Sequence, residues 1–274
     1  MDKYTAREAD RGFVAFRHCS RSAHANRCRD IAGGRCRNPR YRDPAITSKI
    51  TIAAMMKATD WQDVGPAVSV AHDPSAAGID PKSVDAVIIT HMDPDHINGL
   101  LRADGTLAFP NAEVLVPAAE RAFWFDDGEM SRAPKGLNRG GVQERPPGFQ
   151  RRSQAHQAHE AGKEIVPGAT SVATYGHTPG HTSHVIASGF DKMFLQGDGT
   201  HFPLLFVRNP GWHGWFDQDA RMAEATRRKI YDMLVAEKML VQGFHYPFPA
   251  VARIEKAGDG YREVPALWNP TMSP

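Results

Sequence analysis

Cysteine is scarce in this chain: three residues in 274, Cys19, Cys28 and Cys36, all in one early segment. An odd count without a Cys-x-x-Cys pair argues against both a disulfide framework and a zinc ribbon. Long hydrophobic runs are also missing, and none approaches the roughly 20 residues a membrane span requires. No apolar leader core follows the N-terminus, so the expected compartment is a reducing cytoplasm. Charge of one sign does not dominate the whole chain, which is +2. The balance is nevertheless uneven. Residues 1–43 hold eleven Lys/Arg against five acids, a net of +6, which leaves −4 for the remainder. Aromatic residues are not interleaved with these arginines in the way single-strand nucleic-acid binding uses. A solvated, irregular basic arm over 1–45 is therefore expected, ahead of a nucleic-acid tail. Apolar periodicity is missing again over about 131–163, a stretch of Arg, Gln, Gly and Pro that reads as an irregular insert. His156 and His159 within it read as solvated.

Histidine, by contrast, is plentiful, with thirteen residues in an otherwise ordinary globular composition. At this length, one large domain over 46–274 is expected. His91-Met92-Asp93-Pro94-Asp95-His96 packs two imidazoles and two carboxylates into six residues. An apolar run, 84–90, precedes it and reads as a buried strand. Residues from Ile97 onward read as the start of a helix. Carboxylate oxygens together with imidazole nitrogens suit Zn, Mn, Fe or Co. The plain alternative is a polar, Pro-broken turn.

The same pattern recurs down the chain. Strands are expected near 107–110, 113–116, 164–166, 170–175, 185–187, 193–196 and 239–242. A helix is expected after Pro117 and another over 219–238, capped by Asp217 or Asp219 and buried along Met222, Ala225, Ile230, Met233 and Leu234. The tail reads as one more strand plus a loop. Residues 46–62 fit a short helix or a strand equally well. Four of the β-like runs end in loops that carry His or Asp: 91–96, His177, Asp198 and His245. Four such loops in series point to a metal site at one edge of a sheet sandwich.

These residues resemble a family. His-x-Asp-x-Asp-His, Gly-His-Thr-Pro-Gly-His at 176–181, Gly197-Asp198 and Gly243-Phe244-His245 follow the order of the metallo-β-lactamase-fold hydrolases. Asn209-Pro210-Gly211-Trp212-His213, Ala225-Thr226-Arg227-Arg228 and His245-Tyr246-Pro247-Phe248-Pro249 look like the methyl parathion hydrolase branch. The resemblance covers roughly 79–130 and 160–270. It implies an α/β, four-layer αββα sandwich whose N-terminal half is incomplete. It implies two divalent metal ions, zinc first, with Mn, Fe or Co as alternatives. His91, Asp93 and His177 would hold one, and Asp95, His96 and His245 the other, with Asp198 bridging. Asp95 and Asp198 would also carry catalysis. Trp124, Phe244 and Phe248 would form an apolar wall for the leaving group, although core packing competes for Trp124. His181, His184, His201 and His213 read as orienting or packing groups.

The implied reaction is attack by a metal-bridging hydroxide on an organophosphate triester or related ester. A quorum-quenching type of lactonase is the alternative, and a metal-binding protein with little or no activity is the alternative of another class. The implied partner is a small ester or phosphotriester, with no nucleic acid and no membrane, and a homodimer on family grounds. Two departures from the pattern stand out. Asp93 occupies the position of the usual second His. Its Oδ, like a His Nδ1, lies one bond beyond Cγ, so the reach is preserved while a negative charge is added. Residues before 79 and over 137–159 also lack the family pattern. Reading-frame slips in the coding DNA would produce such stretches, and an intact frame on resequencing would sink that explanation.

Overall fold

The apolar run before His91 is buried on both faces, and this decides the architecture. Ala86 and Ile88 face one way and pack with Leu115, Ala169, Ile186, Met193 and Leu195. Val87 and Ile89 face the other way and pack with Met92, Ile97, Leu100, Phe109, Val116 and Trp124. A strand with period-2 side chains and two apolar faces must lie between two layers.

The structure, a computed structural model, describes residues 14–16, 50–52, 80–102, 104–126, 128, 157–247 and 250–266. Its first sheet has the order β1-β2-β3-β4-β5, formed by Val14–Phe16, Ile50–Ile52, Ala86–Ile88, Glu113–Pro117 and Gln157–His159. The β1–β2 pair is antiparallel and the rest are parallel. The second sheet runs β12-β11-β10-β9-β8-β7-β6. Its strands are β6 (Glu164–Val166), β7 (Ala169–Ala173), β8 (Thr182–Ser188), β9 (Asp191–Leu195), β10 (Leu240–Gln242), β11 (Val251–Ala257) and β12 (Gly260–Pro265). All its pairs are antiparallel except β9–β10. Helix α1 (Pro94–Ile97) opens inside the His/Asp motif, and α2 (Ala118–Phe125) covers the outer face of the first sheet. The short α3 (Pro203–Phe206) precedes α4 (Ala220–Glu237). Phe194 and Val241 pack with Ile230, Tyr231 and Leu234 of α4, so that helix covers the second sheet. The four layers are αββα. Each fully buried Ile, Leu or Phe contributes about 1.5–3 kcal/mol of transfer free energy. No helix among the described residues is long and apolar enough to cross a membrane.

Several expectations change here. Residues 107–110 form a turn after a single bridge, Leu101 to Leu107, rather than a strand. The C-terminal segment is a hairpin, β11–β12, turning at Gly258 with φ +57°, rather than one strand. Within the irregular stretches, β1 and β5 are strands, and of 46–62 the described residues, 50–52, form strand β2. His159 is half-buried, its ring 6.0 Å from that of the buried His184, rather than solvated. The buried stripe of α4 is Ala223, Arg227, Ile230, Tyr231 and Leu234, while Met222 and Ala225 face solvent. The helix is rotated because the Arg227 guanidinium has buried partners to reach, a demand that apolar spacing does not register. Asp219 is the cap: its side chain accepts from the Met222 N–H at 2.9 Å. His156 and the rest of the insert before 157 lie outside the described residues.

Candidate metal centre

Strands β3, β7, β9 and β10 all end at one edge of the sandwich. The loops that follow them carry His91 to His96, His177, Asp198 and His245. Asp198 is the hub. Its Oδ1 lies 3.1 Å from His96 Nε2. Its Oδ2 lies 3.1 Å from His201 Nε2 and from His245 Nε2, 3.5 Å from His177 Nε2 and 3.8 Å from His91 Nε2. Asp93 Oδ2 is 3.1 Å from His177 Nε2 and 3.6 Å from His91 Nε2. Asp95 Oδ2 is 3.5 Å from both His96 Nε2 and His245 Nε2.

Three groups have donor atoms mutually within 4.8 Å: Asp95, His96, Asp198 and His245; His91, Asp93 and His177; and His177, Asp198 and His201. His91 Nε2, His96 Nε2 and Asp198 Oδ1 are buried without a hydrogen bond. Buried polar atoms are normally satisfied. Unsatisfied nitrogens and an oxygen facing one another within a His/Asp cluster are the donor set a divalent ion of borderline hardness takes. The residues therefore fit a metal site.

The charges are arranged accordingly. Burial alone would raise Asp198, but His96, His245 and His201 hold it well below the carboxylate range. Burial opposes the charged form of His96, yet Asp198 and Asp95 outweigh it and lift the ring to about 10. His91 goes the other way. Burial and the neighbouring His96 push it down to about 4. Burial would raise Asp93 too, and bonds from His177 and His91 bring it down.

The ring orientations are set from behind. Thr90 Oγ1 meets His91 Nδ1 at 3.1 Å. Asp217 Oδ1 meets His177 Nδ1 at 3.2 Å, and its Oδ2 accepts from Arg227 at 3.2 Å. Arg227, buried, also donates to the Pro210 and Trp212 carbonyls. His181 Nε2 accepts the Asp198 N–H at 2.9 Å. Gly197 makes this approach feasible: its φ is +55°, and a Cβ there would lie 2.8 Å from His181 Nε2. Glu120 of α2 is fully buried and accepts from the Met92 N–H, Trp124 Nε1–H, Thr178 Oγ1–H and Gly180 N–H. Burial pushes its carboxyl up to about 7 against those donors.

The remaining sequence candidates divide. The Phe244 ring lies 4.0 Å from that of His96, tilted by 40°. Trp124 is 5% exposed and projects from α2 into the core, where it packs. Phe248 lies outside the described residues. His184 packs away from the cluster and His213 is exposed beside Glu224. His201 lies among the donors, its Nε2 3.1 Å from Asp198 Oδ2 and within one of the three groups. Its position three residues after Asp198 in a Gly-bearing loop was the available signal. Glu120 and Asp217 left none, since an acid in a helix or before one is ordinary.

Solved structures share this fold. The described hydrolase AbOPH, of the beta lactamase superfamily, shares 27% identity over 81% of this chain and 77% of its own, with a TM-score of 0.72. AidC, a dizinc quorum-quenching lactonase solved with the product N-hexnoyl-L-homoserine, shares 22% identity over 81% and 76%, with a TM-score of 0.69. A probable metal-dependent hydrolase from Staphylococcus aureus shares 20% over 82% and 79%, with a TM-score of 0.63. No curated protein matches the sequence. The model of the Metallo-beta-lactamase superfamily matches residues 55–233, beginning ahead of residue 79 where the motif resemblance starts. With well over half its length matched, an αββα sandwich and a His/Asp cluster at the sheet edge, the chain belongs to the metallo-beta-lactamase superfamily of metal-dependent hydrolases.

Proposed function

We propose that this chain is a dinuclear hydrolase of the methyl parathion hydrolase-like branch, acting on neutral, aryl-bearing organophosphate triesters or related esters. The observation that carries the reading is the convergence of five imidazole Nε2 atoms and the Asp93 and Asp95 carboxylates around Asp198. His91, Asp93 and His177 would hold one ion and Asp95, His96 and His245 the other, with Asp198 between them. Two bound divalent ions, zinc first, supply a lowered water pKa and a clamp on the attacked oxygen. The side chains do the rest. Asp198 offers one oxygen to His96 and the other to the remaining four rings. Asp95 is half-buried and held ionised by His96, against the pull of burial. In this reading it would take the proton that an attacking water gives up. Phe244 against His96 and Phe216 against His201, rings 4.0 and 3.8 Å apart, give the site apolar faces that suit an aryl group. Phe202, exposed 6.4 Å from His245, extends that surface outward.

The test combines elemental analysis of the purified protein with turnover of a nitrophenyl phosphotriester and of an acyl homoserine lactone. The reading expects about two metals per chain and nitrophenolate release. Lactone opening without phosphotriester turnover would replace it with the lactonase. Full metal content without turnover of any ester would replace it with a metal-binding protein. No metal at all would remove the site itself.

A further inference from the structure

Glu120 stands outside every donor group, yet its carboxylate joins the two loops that build one of them. Oε1 accepts from the Met92 N–H at 2.9 Å, and Met92 lies between His91 and Asp93. Oε2 accepts from Thr178 Oγ1 at 2.7 Å and from the Gly180 N–H at 3.0 Å, and Thr178 follows His177. The first loop leaves β3 of one sheet, and the second leaves β7 of the other. Gly180 shows how close the approach is: a Cβ there would overlap the backbone of Ala119 and Glu120. Burying a carboxylate is costly unless its oxygens are filled, and here four donors fill them. An apolar residue of similar size would leave those four buried donors without acceptors. Beside the Thr182 N–H to Thr90 carbonyl bond at 2.9 Å, the carboxylate adds a second tie between two segments that belong to different sheets and share no strand pairing.

We propose that Glu120 is a positioning residue for the His91–Asp93–His177 group, setting the separation of its two loops before an ion arrives. The inference rests on the metal-site reading above. Groups behind metal ligands typically control 10–100-fold in affinity. Glu120→Gln keeps the shape but turns one oxygen into an NH2 facing existing donors, which releases one loop.

The experiment compares wild type and Glu120→Gln by elemental analysis, by chelator competition for Zn²⁺ and by the visible spectrum of the Co²⁺-loaded protein. The thermal midpoint of each metal-free protein is measured alongside. The expected result is a loss of about 10–100-fold in affinity for one ion. Metal content falls toward one per chain, and one component of the Co²⁺ spectrum disappears. If Glu120→Gln does not fold, Thr178→Val removes a single loop-side donor and should shift affinity in the same direction. Wild-type affinity and an unchanged Co²⁺ spectrum in the variant, with only a lower thermal midpoint, would reduce Glu120 to a core brace and leave the metal site standing. A wild-type chain that takes up no metal would overturn both readings.

Discussion

Asp93 presents an oxygen where the family pattern has an imidazole nitrogen. Its Oδ2 still reaches within 3.1 Å of His177 Nε2, so the change is one of charge and hardness rather than of reach. A harder, more negative donor set favours oxygen-tolerant ions and weakens Lewis acidity. Asp93→His should therefore raise the share of Zn relative to Mn or Fe that the chain binds. Loading both proteins from an equimolar mixture and measuring bound metal checks this, and identical metal distributions would refute it. Asp217 acts on the same ring from the other side. It links His177 Nδ1 to Arg227, and both members of the ion pair are buried. Removing one partner of a buried pair costs about 3–5 kcal/mol. Asp217→Ala should lower stability by that order and metal affinity by about 10–100-fold. Urea melts and chelator competition separate the two effects. A stability loss with unchanged affinity would show that the pair only braces the 210–217 loop.

At the scale of elements, strands with two apolar faces and the periodic helix α4 were legible because burial writes itself into side-chain spacing. The four loops after β3, β7, β9 and β10 were legible because chemistry-bearing residues sit there beside Gly and Pro. What was not legible depended on partners distant in sequence. Arg227 takes a core position only because Asp217 and two carbonyls meet it there. Strand β5 hides in a polar insert because its backbone pairing with β4 needs no apolar pattern. Strand β8 carries a testable consequence. His184 shares the inward face of β8 with Ile186, and burial, helped by His159, pushes its pKa down to about 3. The unfolded chain would titrate near the ordinary 6.5. Between these values the unfolded state binds the extra proton. Stability from this group is therefore complete above pH 6.5 and drains away as pH falls toward 3. From pH 7 to pH 5 the loss is about 2 kcal/mol. His184→Met should lack that component. Urea melts of the metal-free proteins at the two pH values measure it, and parallel losses in both proteins would rule it out.

For the whole molecule, the decisive fact is that the donors come from both sheets. His91, Asp93, Asp95 and His96 follow β3 of the first sheet, whereas His177, Asp198, His201 and His245 follow strands of the second. Elsewhere the sheets are held by an apolar layer that includes Ile88, Leu115, Ile186 and Leu195. At the edge they meet through charged and polar atoms, several without hydrogen bonds of their own. An ion there acts as a cross-link between layers, while the apolar layer and the α4 core do not depend on it. A ligand at a thousandfold excess over its Kd adds about 4 kcal/mol to the folded state. Chelation should accordingly lower the thermal midpoint, and the loosening should be local. Amide exchange should speed up in the loops at 91–96, 176–181, 197–201 and 243–246, while α4 and β8 keep their protection. Uniform acceleration across α4 as well would mean that the ions support the global fold. No acceleration anywhere would mean that the two sheets are already locked at this edge without them, with Glu120 and the other buried carboxylates sufficient to hold the loops in register.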